Sequence, residues 1–282
     1  MRCQWQALLS VLPGWLREPV DKLGQETMQE LRLRLGQPPE LVLGTGSRWL
    51  TTPVSSEDLR YCVNMATRYS PWTAESVTCG YITAAGGHRI GLCGQCAEHG
   101  GVLKSIQSVT SLCIRVARDL EGISGTAGAL PGSILILGPP GVGKTTFLRD
   151  LIRSVSDTGD KSVVVLDERR ELFPFFGDSP CFPRGRRTDV LSGCSKTQGL
   201  EMALRTMGPG VIAVDEIVSQ AECTALTYAA WCGVRLLATV HAASREELCR
   251  KPLFRPLLDS GIFSTLITIH SDKTWQKEEQ KL

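Results

Sequence analysis

Residues Ser133–Asp150 read "SILILGPPGVGKTTFLRD": a short apolar run, a turn of glycines and prolines, then the opening of an amphipathic helix. Gly138, four residues, and Gly143-Lys144-Thr145 have the spacing of a phosphate-binding loop, and a strand before it and a helix after it are the context such a loop requires. Glycines let the backbone curl so that several N–H groups converge on phosphate oxygens, and the helix N-terminus adds partial positive charge. The loop Gly138, Pro139, Pro140, Gly141, Val142, Gly143, with Lys144, Thr145 and Thr146, is therefore expected to hold ATP. Lys144 is expected at the β and γ phosphates and the Thr145 hydroxyl on Mg2+. The helix that follows carries Phe147, Leu148, Leu151, Ile152 and Val155 on one face.

Downstream, "VIAVDEI" (Val211–Ile217) is a buried strand that delivers Asp215 and Glu216 at its C-terminal end, where ligands of parallel sheets collect. Two acids after a strand are weak alone; behind a phosphate loop they assign Asp215 to the Mg2+ shell and Glu216 to polarising an attacking water. "VVVLDERRE" ends another strand in Asp167-Glu168, either as a solvated loop with local ion pairs or with Glu168 as a second acid near the γ phosphate. "RLLATVHAAS" (Arg235–Ser244) is an apolar strand with His241 at its tip. In P-loop ATPases with a glutamate beside the Walker B aspartate, an extra strand typically inserts between the loop strand and the Walker B strand. This segment takes that strand's place in the order, making Thr239 or His241 the γ-phosphate sensor. Strands at Ile134–Leu137, Ser162–Leu166, Val211–Val214 and Leu236–Val240, with helices between them, predict an α/β domain with a mostly parallel sheet.

The region before the loop predicts a small α+β domain. "LRLRLGQPPELVLG" alternates Leu31, Leu33 and Leu35 with Arg32 and Arg34 and turns into a second strand at Glu40–Leu43, a hairpin. "SSEDLRYCVNMATRYS" sets Leu59, Cys62, Val63, Ala66 and Tyr69 on one helical stripe, capped by Ser55 or Ser56. The Gly/Ser/Pro-bearing segment "DLEGISGTAGALPGS" reads as a flexible connection. The expected division is 1–120, a linker at 121–133, and 134–282.

Composition narrows the function classes. With 42% hydrophobic and 21% charged residues the 282-residue chain is a core-forming globular protein, and a net charge of +2 makes no case for nucleic acid. Eleven cysteines without framework spacing, behind no secretory leader, point to reduced thiols in the cytoplasm. No stretch of eighteen apolar residues is present, so no membrane span is expected. His88, Cys93, Cys96 and His99 are a tightly spaced set of conceivable zinc ligands, or simply residues of a glycine-rich turn.

"RTDVLSGCSKTQGLEMALRTMGPGVIAVDEI" (Arg187–Ile217), with "VVVLDERRE", "GGHRIGLCG" and "LRLRLGQPPEL", resembles the stage III sporulation protein AA family of endospore-forming bacteria. That family is similar to the ATPases of type II and type IV secretion. The resemblance implies a RecA-like P-loop core behind the small N-terminal domain, and a homo-oligomeric, hexameric ring with nucleotide between the two domains. It implies an acidic box at Glu168, a histidine box at His241, and Arg115 as a phosphate contact from the N-terminal side. Arg187 and Arg205 would deliver positive charge across a subunit interface. The implied partners are other stage III sporulation membrane proteins, with recruitment to the inner face of the mother-cell membrane. Many secretion relatives keep only the Walker B glutamate, whereas Asp215 and Glu216 are both present, which makes the Mg2+ shell more conventional and Glu168 less essential. The chain also stops soon after "IFSTLITIH", so the long C-terminal region of secretion ATPases is not expected.

The sequence thus points to a Mg2+-dependent ATPase that energises or assembles a channel between mother cell and forespore. A nucleotide-gated assembly switch with negligible turnover and a nucleic-acid-stimulated ATPase are its rivals.

Overall fold

The computed structural model describes residues 2–68, 80–99, 102–176 and 178–280. The chain divides into two compact units, one of residues 1–119 with 174–182, the other of 120–173 with 183–282.

In the first unit, the helices α1 (Trp5–Val11) and α2 (Gly14–Asp21) bury Leu8, Leu9, Leu16 and Val20. The apolar residues near the N-terminus thus form a helical pair over a core. A six-stranded antiparallel sheet follows: β1 (Met28–Arg34), β2 (Glu40–Leu43), β3 (Gly46–Trp49), β4 (Tyr81–Thr83), β5 (Arg89–His99) and β6 (Val102–Arg115), in the order β3-β2-β1-β6-β5-β4. The expected hairpin is β1–β2, with Leu31 opposite Leu41 and Arg32 opposite Glu40. Alternation sends Leu31 and Leu33 into the core while Arg32 and Arg34 face outward to Glu30 and Glu40, and a register shift between Met28 and Glu30 brings Met28 into the same core. Leu35, predicted to continue the strand's inner face, lies past its end and is 46% exposed. Between β3 and β4, α3 (Ser56–Thr67) opens with a reciprocal capping box between Ser55 and Asp58 and buries Leu59, Cys62 and Ala66. Tyr69, predicted on the same stripe, lies outside the described residues.

His88 is fully buried in this unit. Its Nδ1 accepts the Ala117 N–H (3.1 Å), so Nε2 carries the proton and donates to the Gln4 carbonyl (3.0 Å). With both ring nitrogens committed to backbone, His88 is no zinc ligand. Cys93 and Cys96 are exposed on β5, and among the described residues no group of three or more His, Cys, Asp or Glu is placed to hold a metal.

The second unit begins before its first strand. The segment predicted as a flexible linker forms a 3-10 turn, Gly125–Ala129, and is anchored by the buried Asp150 carboxylate. That carboxylate accepts the N–H groups of Gly122 (2.9 Å) and Ser124 (2.8 Å) and the Ser124 hydroxyl (2.7 Å). Glycine and serine here serve a tight packed turn, so residues 121–133 belong to this unit. β7 (Ser133–Gly138), α4 (Lys144–Thr158) and β8 (Val163–Asp167) follow, and α4 buries all five predicted apolar residues. Residues 174–182, with the two-stranded pair β9 (Phe175–Phe176) and β10 (Ser179–Pro180), count with the first unit. The second unit resumes with β11 (Thr188–Ser192), α5 (Lys196–Thr206), β12 (Val211–Val214), α6 (Gln220–Trp231) and β13 (Arg235–His241). It closes with α7 (Arg245–Arg250), α8 (Arg255–Asp259), β14 (Phe263–Ile269) and β15 (Trp275–Glu279).

These strands form one sheet, β11-β8-β12-β13-β7-β14-β15, parallel except for the antiparallel edge strand β15. β13 is inserted between β12 and β7, as the residue order predicted. β7, β8 and β12 are buried at every position, the uniform burial of central parallel strands covered on both faces. α7 stops two residues before Pro252, which cannot continue a helix, and a 3-10 turn, Pro252–Phe254, follows.

Candidate active site

The C-terminal ends of β7, β8, β12 and β13 bring the chemistry-bearing side chains to one edge of the sheet. The loop leaves β7 at Gly138, where an added Cβ would fall 2.7 Å from Val142 and 3.0 Å from the Ile269 carbonyl. Gly143, just before α4, has φ +106°, a conformation that L side chains rarely adopt. Both positions need glycine for the loop to close in this shape.

Lys144 is 6% exposed, and its three N–H donors are all used. They reach the carbonyls of Gly138 and Pro139, each at 2.8 Å, and His241 Nδ1 at 2.9 Å. Burial lowers the Lys144 pKa, and the charges of Asp215 and Glu216 act against that shift. His241 Nε2 then faces Glu216 Oε1 at 3.1 Å. The other Glu216 oxygen receives Arg169 Nη1 at 2.7 Å.

Asp215 is held from two sides. Thr145 Oγ1 donates to Oδ2 (2.6 Å) and Thr239 Oγ1 to Oδ1 (2.5 Å). Thr239 is fully buried, and its hydroxyl also accepts the Glu216 N–H at 2.8 Å. Of the two residues proposed for the tip of β13, Thr239 therefore orders the acids and His241 faces Lys144 and Glu216. One hydroxyl and one carboxylate oxygen are too few for an all-protein metal cage. They are the set a Mg2+ ion takes when phosphate and water oxygens fill its remaining positions, so these residues fit Mg2+ brought with a nucleotide.

In "VVVLDERRE" the two acids have different surroundings. Asp167 is buried, and its carboxylate accepts the N–H groups of Glu171 (2.8 Å), Leu172 (3.2 Å) and Phe173 (2.9 Å), which fixes the turn after β8. Burial raises its pKa to about 6 despite those donors. Glu168 lies beside the site instead, 3.4 Å from Lys196 Nζ, in a cleft shared with Arg169, Asp215 and Glu216.

The structure thus brings together the 138–145 loop, Asp215, Glu216, Thr239 and His241, with Glu168 joined through Lys196. It does not bring Arg187 and Arg205 there within one chain. Arg187 precedes β11, and its carbonyl accepts the N–H of Val163 at the start of β8. Arg205 lies near the end of α5 and lines a cavity of about 620 Å3 with Pro209, Tyr228 and Val234. Both occupy the N-terminal edge of the strands, opposite the 138–145 loop, because a residue entering a parallel strand, and the end of a helix that leads into one, stand across the sheet from residues leaving a strand. Arg115 is on β6 of the first unit, 62% exposed and 3.1 Å from Glu30. Arg169 and Lys196 went unrecognised in the sequence. For Lys196 a signal existed: a cation in the first turn of a helix opposes the helix dipole and calls for acidic partners.

Comparison with known proteins agrees with this architecture. The family model described as "Sporulation stage III, protein AA" matches residues 4–277. Stage III sporulation protein AA of Bacillus subtilis (strain 168) is 32% identical over 282 aligned positions, covering 94% of this chain and 91% of that protein. The chain belongs to the stage III sporulation protein AA family. Outside the sporulating bacteria, this family member is 30% identical to an uncharacterized protein, ycf45, of Porphyra purpurea, over 98% of the chain but 47% of that protein. Among solved structures, the ATPase DotB of Legionella pneumophila superposes with a TM-score of 0.62 at 16% identity, covering 94% of this chain and 79% of DotB. The pilus retraction motor PilT with bound ADP gives 0.61 at 15% identity, covering 89% and 76%. These likenesses establish that the sporulation protein AA chain has the mixed α/β, RecA-like fold shared by DotB and PilT. Among the described residues, no helix is long and apolar enough to cross a membrane.

Proposed function

We propose that this family member is a Mg2+-dependent ATPase, a ring-forming motor that energises or assembles the channel between mother cell and forespore. The observation that carries the reading is the continuous network Thr145–Asp215–Thr239–Glu216–His241–Lys144. It joins a phosphate loop, a metal-binding pair, a general base and a polar sensor at one edge of the sheet. Bound Mg2+ would neutralise charge on the β and γ phosphates. Thr145 and Asp215 would hold it, and Lys144 would exchange its carbonyl partners for phosphate oxygens. Glu216, released from Arg169, would take the proton of the attacking water, and His241 would hydrogen-bond a γ-phosphate oxygen. Arg187 and Arg205 can act only if a ring sets their edge against a neighbour's loop, and Arg115 only if it turns from Glu30 toward phosphate. We further propose that the ring is cytoplasmic, independent of nucleic acid, and held at the mother-cell membrane by stage III sporulation membrane proteins.

The test is ATP hydrolysis by the purified chain across a concentration range, with mass measured at each point. Specific activity should rise as rings form. Glu216→Gln should bind ATP without hydrolysing it, and Lys144→Ala should not bind. Normal turnover by Glu216→Gln would remove Glu216 from its assigned role.

A second reading, a nucleotide-gated assembly switch, is favoured by one observation: Lys144 and Glu216 are both fully engaged with protein partners. A site closed in this way must rearrange to admit nucleotide, and that rearrangement could itself be the signal. Tight binding without turnover, with the membrane partners present, would select it.

A further inference from the structure

Lys196 stands at the first turn of α5 and is 7% exposed. An ammonium there meets the positive end of the helix dipole and loses most of its hydration, so its neighbours must repay both. Nζ lies 2.7 Å from the carbonyl oxygen of Glu216, 3.3 Å from Glu222 Oε1 and 3.4 Å from Glu168 Oε2. Glu222 is itself buried at the start of α6, and its second oxygen accepts the Val218 N–H at 2.7 Å. Lys196 and Glu222 therefore grip both ends of the short turn 216–218.

That turn needs gripping. Glu216 has φ +54°, the left-handed region, which costs a residue with a Cβ about 1–2 kcal/mol. From the β13 side, Thr239 receives the Glu216 N–H on its hydroxyl and the Ile217 N–H on its carbonyl (2.9 Å). From the helix side, Lys196 takes the Glu216 carbonyl and Glu222 the Val218 N–H. The left-handed backbone aims the Glu216 carboxylate at His241 and Arg169, so whatever holds the turn also sets the direction of the acid.

We propose that Lys196, acting with Glu222, is a positioning residue for Glu216. It holds the turn left-handed so that the carboxylate points at the site, and its contact with Glu168 ties the second acid to the same turn. The proposal rests on the reading of Glu216 as the residue that activates water.

The variant to make is the double change Lys196→Met/Glu222→Leu, because removing a buried pair together leaves no lone charge behind. Melting temperature should show a folded protein, and the Kd for ATP should stay within about twofold of the parent chain, because Lys196 does not touch the phosphate loop. kcat should fall about tenfold or more, as expected for a group that acts on the transition state rather than on binding. Lys196→Arg, which keeps a cation on both glutamates, should recover part of the loss. A folded double variant with parental kcat overturns the proposal, and so does one whose ATP affinity collapses together with kcat. If the parent chain itself never turns over ATP, the ATPase reading fails separately. The backbone at residue 216 then decides: a crystal structure of the double variant with φ still near its present value overturns positioning by Lys196. A turn relaxed out of the left-handed region upholds it.

Discussion

Acid should weaken the first unit through one histidine. Burial, with the charge of Arg118 adding to it, pushes His88 from its ordinary 6.5 down to about 4, against the bond to the Gln4 carbonyl, which acts the other way. Above pH 6.5 the imidazole is neutral in both folded and unfolded chains, and titration contributes nothing. Between about 6.5 and 4 the unfolded chain binds a proton that the folded one refuses, so stability falls as pH falls; below about 4 the loss is complete. The gap corresponds to about 3 kcal/mol. The assay is urea unfolding of the full chain at several pH values, read by pulse-labelling hydrogen exchange on peptides of β1 and β6, every pulse at a single pH. His88→Gln keeps a donor for the Gln4 carbonyl but cannot titrate. It should start less stable at pH 7 and lose about 3 kcal/mol less than the parent between pH 7 and 4. The carboxylates and the other histidines titrate alike in both chains and cancel in the comparison. Parallel pH profiles for the two proteins would refute the account of His88 as a neutral, doubly bonded core residue.

Two further predictions concern the second unit. Thr239→Val conserves shape but removes the hydroxyl that holds Asp215 and the Glu216 N–H; kcat should drop about tenfold or more and the Mg2+ requirement rise, while Thr239→Ser stays near the parent, which a Mg2+ titration of turnover would check. Burial alone would raise the Asp150 carboxyl, but donors from Ser124, Gly122 and Arg153 hold it below its ordinary range. Asp150→Ala should therefore cost the second unit about 3 kcal/mol and open residues 120–133 to protease, and unchanged resistance there would count against the anchor.

What the sequence revealed followed the physics of each feature. The shape of the 138–145 loop was legible because glycine spacing writes backbone curvature directly. Asp215, Glu216 and His241 were legible because each ends a buried strand, and strand ends in a parallel sheet share one edge. The 121–133 segment was misread because glycine and serine suit packed turns as well as flexible tethers. Only Asp150, distant in sequence, distinguishes the two. Arg187 and Arg205 were placed by family likeness, and recognition of β11 would have shown Arg187 entering a strand rather than leaving one. The first-turn position of Lys196 called for acidic partners but could not name them, because Glu168 lies 28 residues before it and Glu216 and Glu222 more than 19 after it.

The allocation of residues 174–182 to the first unit bears on how this protein can be taken apart. Phe182 and Pro174 close on Gly87, where an added Cβ would sit 3.0 Å from the phenyl ring and 3.1 Å from the proline. A fragment ending at residue 119 would lack that cover and expose the apolar surface around Gly87, whereas a fragment starting at 120 would carry residues 174–182 without the Gly87 and Gln4 they pack on. The two halves are braided rather than strung in series. Neither is a cassette that a single cut in the gene can lift out whole.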